Sequence, residues 1–312
     1  MYIVTGGAGF IGSHICEALV ARGDEVIIID NVSSGKLDNI NKVIVNRQVT
    51  FAEGTITDLL FLRKIFKEAD GVFHQAALVT VPGSIENPIA NHDINMTGTF
   101  NVLIAARDTS IRKVVCASSA AVYGNLPGLP KREDMPVDPQ SPYAFAKLAG
   151  EYYCRLFSEL YGLRTTSLRY FNVYGPRQDP DSDYAAAIPK FIQRVRNCQP
   201  PVIYGDGEQT RDFVFVNDVV QANLKAMESN AQGVFNVANG IRTSVNELAG
   251  LIMKVSGKTE SIIYEKGRQG EVKHSVADIT KAREGFGFEP TYTLEKGLAS
   301  MFCDHGTLQG NE

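Results

Sequence analysis

No run of the 312-residue chain approaches the roughly 20 consecutive apolar residues that a membrane-spanning helix requires, which excludes an integral membrane protein of that kind. Nor is there an excess of positive charge: 31 Lys and Arg stand against 35 Asp and Glu, a formal net charge of −4. That balance gives no electrostatic case for a nucleic-acid or membrane partner, although local cations can still bind a small anion. Cysteine is sparse. Cys16, Cys116, Cys154, Cys198 and Cys303 lack any C-x-x-C spacing and read as buried thiols of a reducing compartment, not as a disulfide framework. His14, His74, His92, His274 and His305 form no H-E-x-x-H or compact Cys/His pattern, so no metal is expected, and His14 and His92 read as helix or loop residues. There is no fixed-period repeat, low-complexity tract or heptad series. MYIVTGG starts without the basic segment, apolar core and cleavage site of a secretory signal, so a cytoplasmic location is expected.

What is present is an ordinary globular composition, 44% hydrophobic and 21% charged. At this length folding can bury about 75% of the unfolded chain's surface. Apolar MYIVT, a glycine run, GSHICEALVARG and EVIIIDN read in turn as strand, tight turn, helix and strand. The rhythm returns in GVFHQAAL, NMTGTFNVLIAARD and KVVCASS, then in SPYAFAKLAGEYYCRLFSELYG and RTTSLRYFNVYG. It predicts an α/β fold with a doubly wound parallel Rossmann sheet over residues 1–174. The Pro-, Gly- and Asp-rich segments that follow, GPRQDPDSDYAAAIPKFI and NCQPPVIYGDGEQTRD, read as part of a smaller, discontinuous, mixed α/β substrate-binding domain. It would occupy mainly 175–312, with the chain returning to the large sheet at about 212–240.

At the end of the first strand, TGGAGFIG contains Gly7-x-Gly9-x-x-Gly12 and also Gly6-x-x-Gly9-x-x-Gly12. Missing side chains let a backbone turn tightly and approach a pyrophosphate, while the amides of the new helix face the anion. Eighteen residues after Gly12, Asp30 ends EVIIID, placed to accept hydrogen bonds from an adenosine ribose diol and to repel the extra phosphate of NADP. NAD is therefore the expected cofactor. Asn31, Ser33, Ser34 and Gly35 can line the same edge, and His74, Ala76, Ala77 and Asn95 fall at or beyond strand ends facing the cleft.

Ser118 and Ser119 end KVVCASS, and Tyr143 stands four residues before Lys147 in YAFAK, on one face of a helix. A phenol with a pKa near 10 is a poor base at neutral pH, but an adjacent ammonium favours the phenolate. Tyr143 can then take a hydroxyl proton from a substrate while Ser119 hydrogen-bonds the same oxygen and Lys147 holds a ribose hydroxyl.

With these residues in view, the chain resembles the extended short-chain dehydrogenase/reductase family, specifically its nucleotide-sugar epimerases and dehydratases. The motifs that carry the resemblance are TGGAGFIG, SSAAVYG, YAFAK, RYFNVYGPRQ, TRDFVFVNDV and RQGEVKHSVADITKA, spread over nearly the whole chain. The resemblance implies that Gly6, Gly9, Phe10, Ile11 and Gly12 wrap the pyrophosphate and that Asp30 to Gly35 hold adenosine. It places Thr55 and Ile56 near adenine, with Thr55 standing where the family often has Asp, so no charged contact carries over. It also implies that Gln75, Ala76, Ala77, Asn95, Tyr143, Lys147 and Phe171 contact NAD. Asn172, Arg211, Arg268 and Glu271 would join Ser119 and Tyr143 in holding a UDP-sugar, the arginines neutralising its diphosphate.

Similar dehydratases usually carry Asp-Glu directly after the strand Ser or Thr, and related decarboxylases keep a carboxylate at the second of these places. Here Ala120 and Ala121 stand instead, and a methyl group cannot transfer a proton. The resemblance therefore implies a UDP-hexose 4-epimerase, in which a sugar C4 is oxidised by NAD to a transient ketone and reduced from its other face. A UDP-glucuronate 4-epimerase or decarboxylase is the alternative, and an NAD-binding regulatory or scaffold protein the non-enzyme one, which would leave Ser119, Tyr143 and Lys147 without a task. Ser275 falls where glucose-restricted relatives carry a bulky Tyr, which implies acceptance of UDP-GlcNAc and UDP-GalNAc as well as UDP-Glc and UDP-Gal. Similar epimerases also form homodimers through helices corresponding to residues 96–107 and 143–160.

Overall fold

The structure is a computed structural model that describes residues 1–180, 187–259, 261–267 and 273–303. Strands β1 (Tyr2–Thr5), β2 (Val26–Asp30), β3 (Val49–Glu53), β4 (Gly71–His74), β5 (Lys113–Ser119) and β6 (Arg164–Tyr170) come first. Between them run helices α1 (Phe10–Ala21), α2 (Asn41–Ile44), α3 (Leu59–Ile65), α4 (Val81–Glu86), α5 (Pro88–Asn91), α6 (Thr99–Asp108) and α7 (Pro142–Tyr161). Beyond these lie β7 (Asn172–Tyr174), α8 (Ala187–Arg196), β8 (Val202–Tyr204), β9 (Thr210–Arg211), β10 (Phe213–Phe215) and α9 (Val216–Glu228). The chain continues through β11 (Gly233–Val237), β12 (Thr243–Ser244), α10 (Val245–Ser256), β13 (Ile263–Glu265), α11 (Thr280–Phe286) and α12 (Leu294–Cys303).

Seven strands form one parallel sheet in the order β3-β2-β1-β4-β5-β6-β11. The order reverses between β1 and β4, so crossovers leave these strands in opposite directions and open a crevice at their carboxyl ends. Burial on both faces explains the apolar character of the strands. Ile3, Ile29, Val72 and Val114 pack with Leu62, Leu103 and Phe157 on one side, while Val4, Ile28, Phe73 and Val115 pack with Leu19, Val219 and Val220 on the other. The buried Lys113 ammonium donates to the carbonyls of Ala226, Ser229 and Ala231 at 2.6, 2.9 and 2.8 Å, tying β5 to the end of α9.

Helix α7 begins and ends where its sequence dictates. Ser141 Oγ accepts from the Ala144 amide at 3.1 Å, Pro142 occupies the first turn, and Gly162 leaves the helix in the left-handed region at φ 69°. Tyr143, Ala146, Gly150, Cys154 and Phe157 are buried, whereas Phe145, Tyr152, Leu156 and Leu160 form an exposed apolar stripe.

The smaller mixed α/β region has its own core, which includes Phe191, Ile203, Phe213, Phe215, Leu248 and Ile252. Its strands pair in twos, β10 with β7, β12 with β9 and β13 with β8. Asp218, in the first turn of α9, accepts from Thr291 N, Thr291 Oγ1 and Tyr292 N and so anchors the segment leading to α12. The expectation of uniformly buried cysteines needs correction. Cys16, Cys116 and Cys154 are buried, but Cys198 is exposed because it sits in the turn that ends α8; the Cys303 side chain lies outside the described residues. No described helix is long and apolar enough to cross a membrane.

Candidate functional site

A cleft of about 670 Å³ opens at the carboxyl ends of β1, β2, β4, β5 and β6. The turn from β1 into α1 forms one wall. A Cβ on Gly12 would lie 2.1 Å from the Gly6 carbonyl oxygen, and one on Gly6, at φ +69°, 2.6 Å from the Ala76 amide, so both positions require glycine. Gly9 gives α1 no side-chain cap, which leaves the amides of its first turn to an anion. Gly6, Gly9, Phe10, Ile11 and Gly12 all line the cleft.

Asp30 ends β2 and is nearly buried. Its Oδ2 accepts from the Ala8 amide at 2.9 Å and its Oδ1 from the Val32 amide at 2.8 Å, which fixes the carboxylate against the glycine turn. Asn31, Ser33, Ser34 and Gly35 continue this edge, with Ser33 held to Asn31 Oδ1 through both its amide and its hydroxyl. Thr55 and Ile56 line the same end, and Gln75, Ala76, Ala77 and Phe171 also line the cleft. A turn that admits backbone only, an uncapped helix start and a fixed carboxylate beside apolar Ile56 together fit a dinucleotide.

Two expected lining residues lie elsewhere. Asn95 is buried in a wide π turn over His92–Gly98, where its amide donates to the Leu78 carbonyl at 2.9 Å and its carbonyl accepts from the Leu78 amide at 2.8 Å. It thus clamps the loop whose Val79, Thr80, Val81 and Pro82 do reach the cleft. His74 sits beneath, bonded to Thr5 Oγ1 at 2.8 Å and Thr99 Oγ1 at 3.0 Å, and burial pushes its pKa down to about 3, so it is neutral.

Ser119, Tyr143 and Lys147 meet in the cleft although they come from β5 and α7. The Ser119 side chain lies close enough to the Tyr143 phenol to lower its pKa, and the Tyr143 amide donates to Ser84 Oγ at 3.1 Å. Lys147 Nζ donates to the Ala117 carbonyl at 3.0 Å and stands 5.9 Å from the centroid of the Tyr143 ring. The expectation that this ammonium favours the phenolate is not met in the protein by itself. Burial pushes the phenol above its ordinary range, against the opposing pull of Ser119, and burial also lowers Lys147 to about 8. Desolvation is the dominant effect on both groups.

Outside this cleft, Arg211, Ser275 and Asn172 gather around β9. Arg211 Nη1 donates to the Thr210 carbonyl at 3.0 Å, the Ser275 amide donates to the same carbonyl at 3.0 Å, and the Asn172 amide donates to the Asp212 carbonyl at 3.0 Å. Asn172 lies between two cleft-lining residues, Phe171 and Val173. Arg268 and Glu271 lie outside the described residues.

The structure adds a strap that motif reading did not single out. Arg177, Gln178 and Asp179 line the cleft; Arg177 donates to Ser13 Oγ at 3.1 Å and pairs with Glu17 on α1, while Asp179 Oδ2 lies 3.2 Å from Lys36 Nζ. The available signals were Arg177 in GPRQ and Lys36 directly after Ser33-Ser34-Gly35, but their partners lie more than a hundred residues away in sequence.

A family model described as GDP-mannose 4,6 dehydratase matches residues 3–301. A putative UDP-glucose 4-epimerase from Methanocaldococcus jannaschii is 45% identical over 300 residues, covering 96% of each chain. The solved structure of a UDP-N-acetylglucosamine 4-epimerase from Methanobrevibacter ruminantium, in complex with UDP-N-acetylmuramic acid, is similar at TM-score 0.93 and 44% identity, over 96% of both chains. That of a UDP-glucose 4-epimerase from Thermus thermophilus in complex with NAD is similar at TM-score 0.87 and 36% identity, over 98% of this chain and 99% of the other.

The glycine turn makes a direct prediction. Gly12→Ala should eliminate the rise in melting temperature that added NAD produces in the unaltered protein, because the new methyl forces the turn apart. Thermal unfolding with and without NAD checks this, and a full NAD-dependent shift in the variant would contradict it.

Proposed function

The chain belongs to the NAD-dependent epimerase/dehydratase family of extended short-chain dehydrogenases/reductases, and from that membership we propose that it is a UDP-hexose 4-epimerase with NAD as cofactor. The observation that carries this reading is what surrounds the reacting groups. Among the described residues that line the cleft, the carboxylates are Asp30, on the β2 side, and Asp179, paired with Lys36. None stands with Ser119, Tyr143 and Lys147, and the two residues that follow Ser119 are Ala120 and Ala121. Elimination at C5 and C6 needs a further acid and base, and C4 epimerisation does not.

Gly6, Gly9, Gly12 and Asp30 would hold NAD, which when bound supplies a reversible hydride acceptor for sugar C4 and a cationic ring. Tyr143 takes the C4-hydroxyl proton and later returns it to the keto oxygen, while Ser119 hydrogen-bonds that oxygen in both states. Lys147 orients a cofactor ribose hydroxyl. The cycle neither gains nor loses a proton, so Tyr143 can keep it within the site. Asn172, Arg211, Arg268 and Glu271 would grip the UDP moiety, the arginines matching a diphosphate through charge-assisted hydrogen bonds. The small Ser275 side chain leaves room for an acetamido group, which supports acceptance of UDP-GlcNAc and UDP-GalNAc alongside UDP-Glc and UDP-Gal.

We further propose that two copies associate through α6 and α7. Phe145, Tyr152, Leu156 and Leu160 line one side of α7 and Phe100 on α6 is partly exposed beside it, 5.1 Å from the Tyr153 ring, so a second copy of the same face would bury a continuous apolar strip. A dimeric mass by light scattering over a range of concentrations is expected, and a monomeric mass throughout would refute the interface.

Incubation of the purified protein with UDP-sugars, followed by chromatography, should yield the C4 epimer without stoichiometric NADH. A 4-keto-6-deoxy product or loss of carbon dioxide would overturn the assignment. Tyr143→Phe should still bind NAD but lose turnover by at least ~100-fold, the lower range for positioned acid/base catalysis.

Substrate choice is tested by Ser275→Tyr. Overpacking against the acetamido group should reduce UDP-GlcNAc turnover by roughly 5- to 150-fold more than UDP-Glc turnover. Equal losses, or an unchanged preference in a folded variant, would remove Ser275 from this role.

A further inference from the structure

Lys147 borders two spaces, the cleft and a second, buried cavity of about 10 Å³. The second cavity is lined by His74, Thr99, Ser118, Gly150 and Glu151 among others; its size just admits one water molecule, and its mixed walls include polar groups that could hold it. Glu151 lies one turn beyond Lys147 on α7. Its Oε1 accepts from Ser118 Oγ at 2.5 Å and from Arg169 Nε at 2.8 Å, and its Oε2 accepts from Arg169 Nη2 at 2.7 Å. Both members of this ion pair are about 95% buried, and the Arg169 guanidinium stacks 4.6 Å from the centroid of the Tyr123 ring.

An ammonium has three donors, and that of Lys147, at the wall of the cleft, is costly to leave partly unbonded on the side turned away from solvent. Lys147 gives one to the Ala117 carbonyl, and the cleft offers an acceptor for another when a ribose is bound. We infer that the small cavity is a binding site for one water molecule that accepts from Lys147 and donates to the Glu151 carboxylate, which makes Glu151 a positioning residue for the lysine. This rests on the catalytic role proposed for Lys147.

The other groups facing Lys147 offer no equivalent anchor. On α7 Tyr143 is a neutral phenol; on β4 His74 is neutral and already bonded through both nitrogens; on β5 Cys116 is a thiol whose pKa is pushed well up by Cys154 and burial. On β6 Arg169 gives Nε and Nη2 to Glu151 while its Nη1 is buried without a hydrogen-bond partner, and as a cation it cannot anchor an ammonium; Tyr170 bonds Asn223 and Gln75. The sign of the effect follows. A water linked to a carboxylate stabilises the ammonium, so its removal lowers the Lys147 pKa, and the cationic form is lost at lower pH.

Gly150→Ala isolates the water. Outside the helix's own backbone the added methyl would meet only Thr99 Cγ2, at 3.6 Å, so it enters the cavity without a clash, and alanine favours the helix. We expect a melting temperature at or above that of the unaltered protein and NAD still bound at saturating concentration. Epimerase turnover should fall by roughly 10- to 100-fold through a misplaced lysine. The alkaline limb of the kcat/KM profile should move to lower pH by about one unit. Crystal structures of both proteins with NAD provide a second readout, with one ordered water in contact with Lys147 Nζ and Glu151 in the unaltered protein and none in the variant. Unchanged turnover and pH profile in the folded variant, or a dry cavity in the unaltered protein, would overturn the inference. An ordered water in an unaltered protein that epimerises no UDP-sugar would uphold the water site and count against the proposed reaction alone.

Discussion

Helix α7 must occupy one axial position against β5 and β6, and the buried pair between Glu151 and Arg169 sets it. Ser119 is delivered by a strand and Tyr143 and Lys147 by a helix, so their meeting depends on how the two elements slide past one another. Ser118, next to Ser119, donates to the same carboxylate that holds Arg169 of β6. Strand, helix and neighbouring strand are therefore joined at one buried point behind the reacting groups. Such a pair adds little net stability over an apolar replacement, but removal of one partner costs about 3–5 kcal/mol by leaving a charge buried and unpaired. Its value here lies in geometry.

The cleft is bounded by devices of different strength. The glycine turn is rigid because side chains are sterically excluded from it, and Asp30 is held by two backbone amides. The strap over 175–180 is held partly by Arg177, which reaches the buried Ser13 hydroxyl of α1, and partly by the Lys36–Asp179 pair, whose side chains are 61% and 41% exposed. An exposed pair of this kind contributes little and is screened by salt. The two sides of the cleft thus differ: one is built into the sheet, and the other rests on side-chain contacts, part-buried at Arg177 and exposed at Lys36–Asp179.

Burial governs the chemistry of the reacting groups more than their mutual attraction does. Tyr143 is held protonated and Lys147 is drawn down towards neutrality, so the protein by itself keeps a poor base and a weakened cation. That arrangement suits a reaction in which the proton goes out and back on one phenol. In the proposed reaction Tyr143 would be activated as a base only when a positively charged cofactor ring is bound, and a water in the small cavity would hold the orientation of Lys147.

Local and periodic features were legible in the amino-acid sequence. The alternation of apolar strands and amphipathic helices, the glycine turn after β1, Asp30 at the end of β2 and the four-residue spacing of Tyr143 and Lys147 all follow from short-range sterics and repeat geometry. They are visible because each is written within a few consecutive residues. Asn95 shows the limit: its position beyond a strand pointed to the cleft, yet a π turn rotates it into the interior, where it clamps Leu78. The strap at Arg177, the Glu151–Arg169 pair and the small cavity beside Lys147 were decided only by tertiary packing. Arg177 is separated from Ser13 by 164 positions and Arg169 from Glu151 by 18, and no periodicity relates them. Burial, which determines the charge of Tyr143, His74 and Lys147, is likewise a property of the assembled sheet and its covering helices, because the atoms that displace water from each group come from distant parts of the chain.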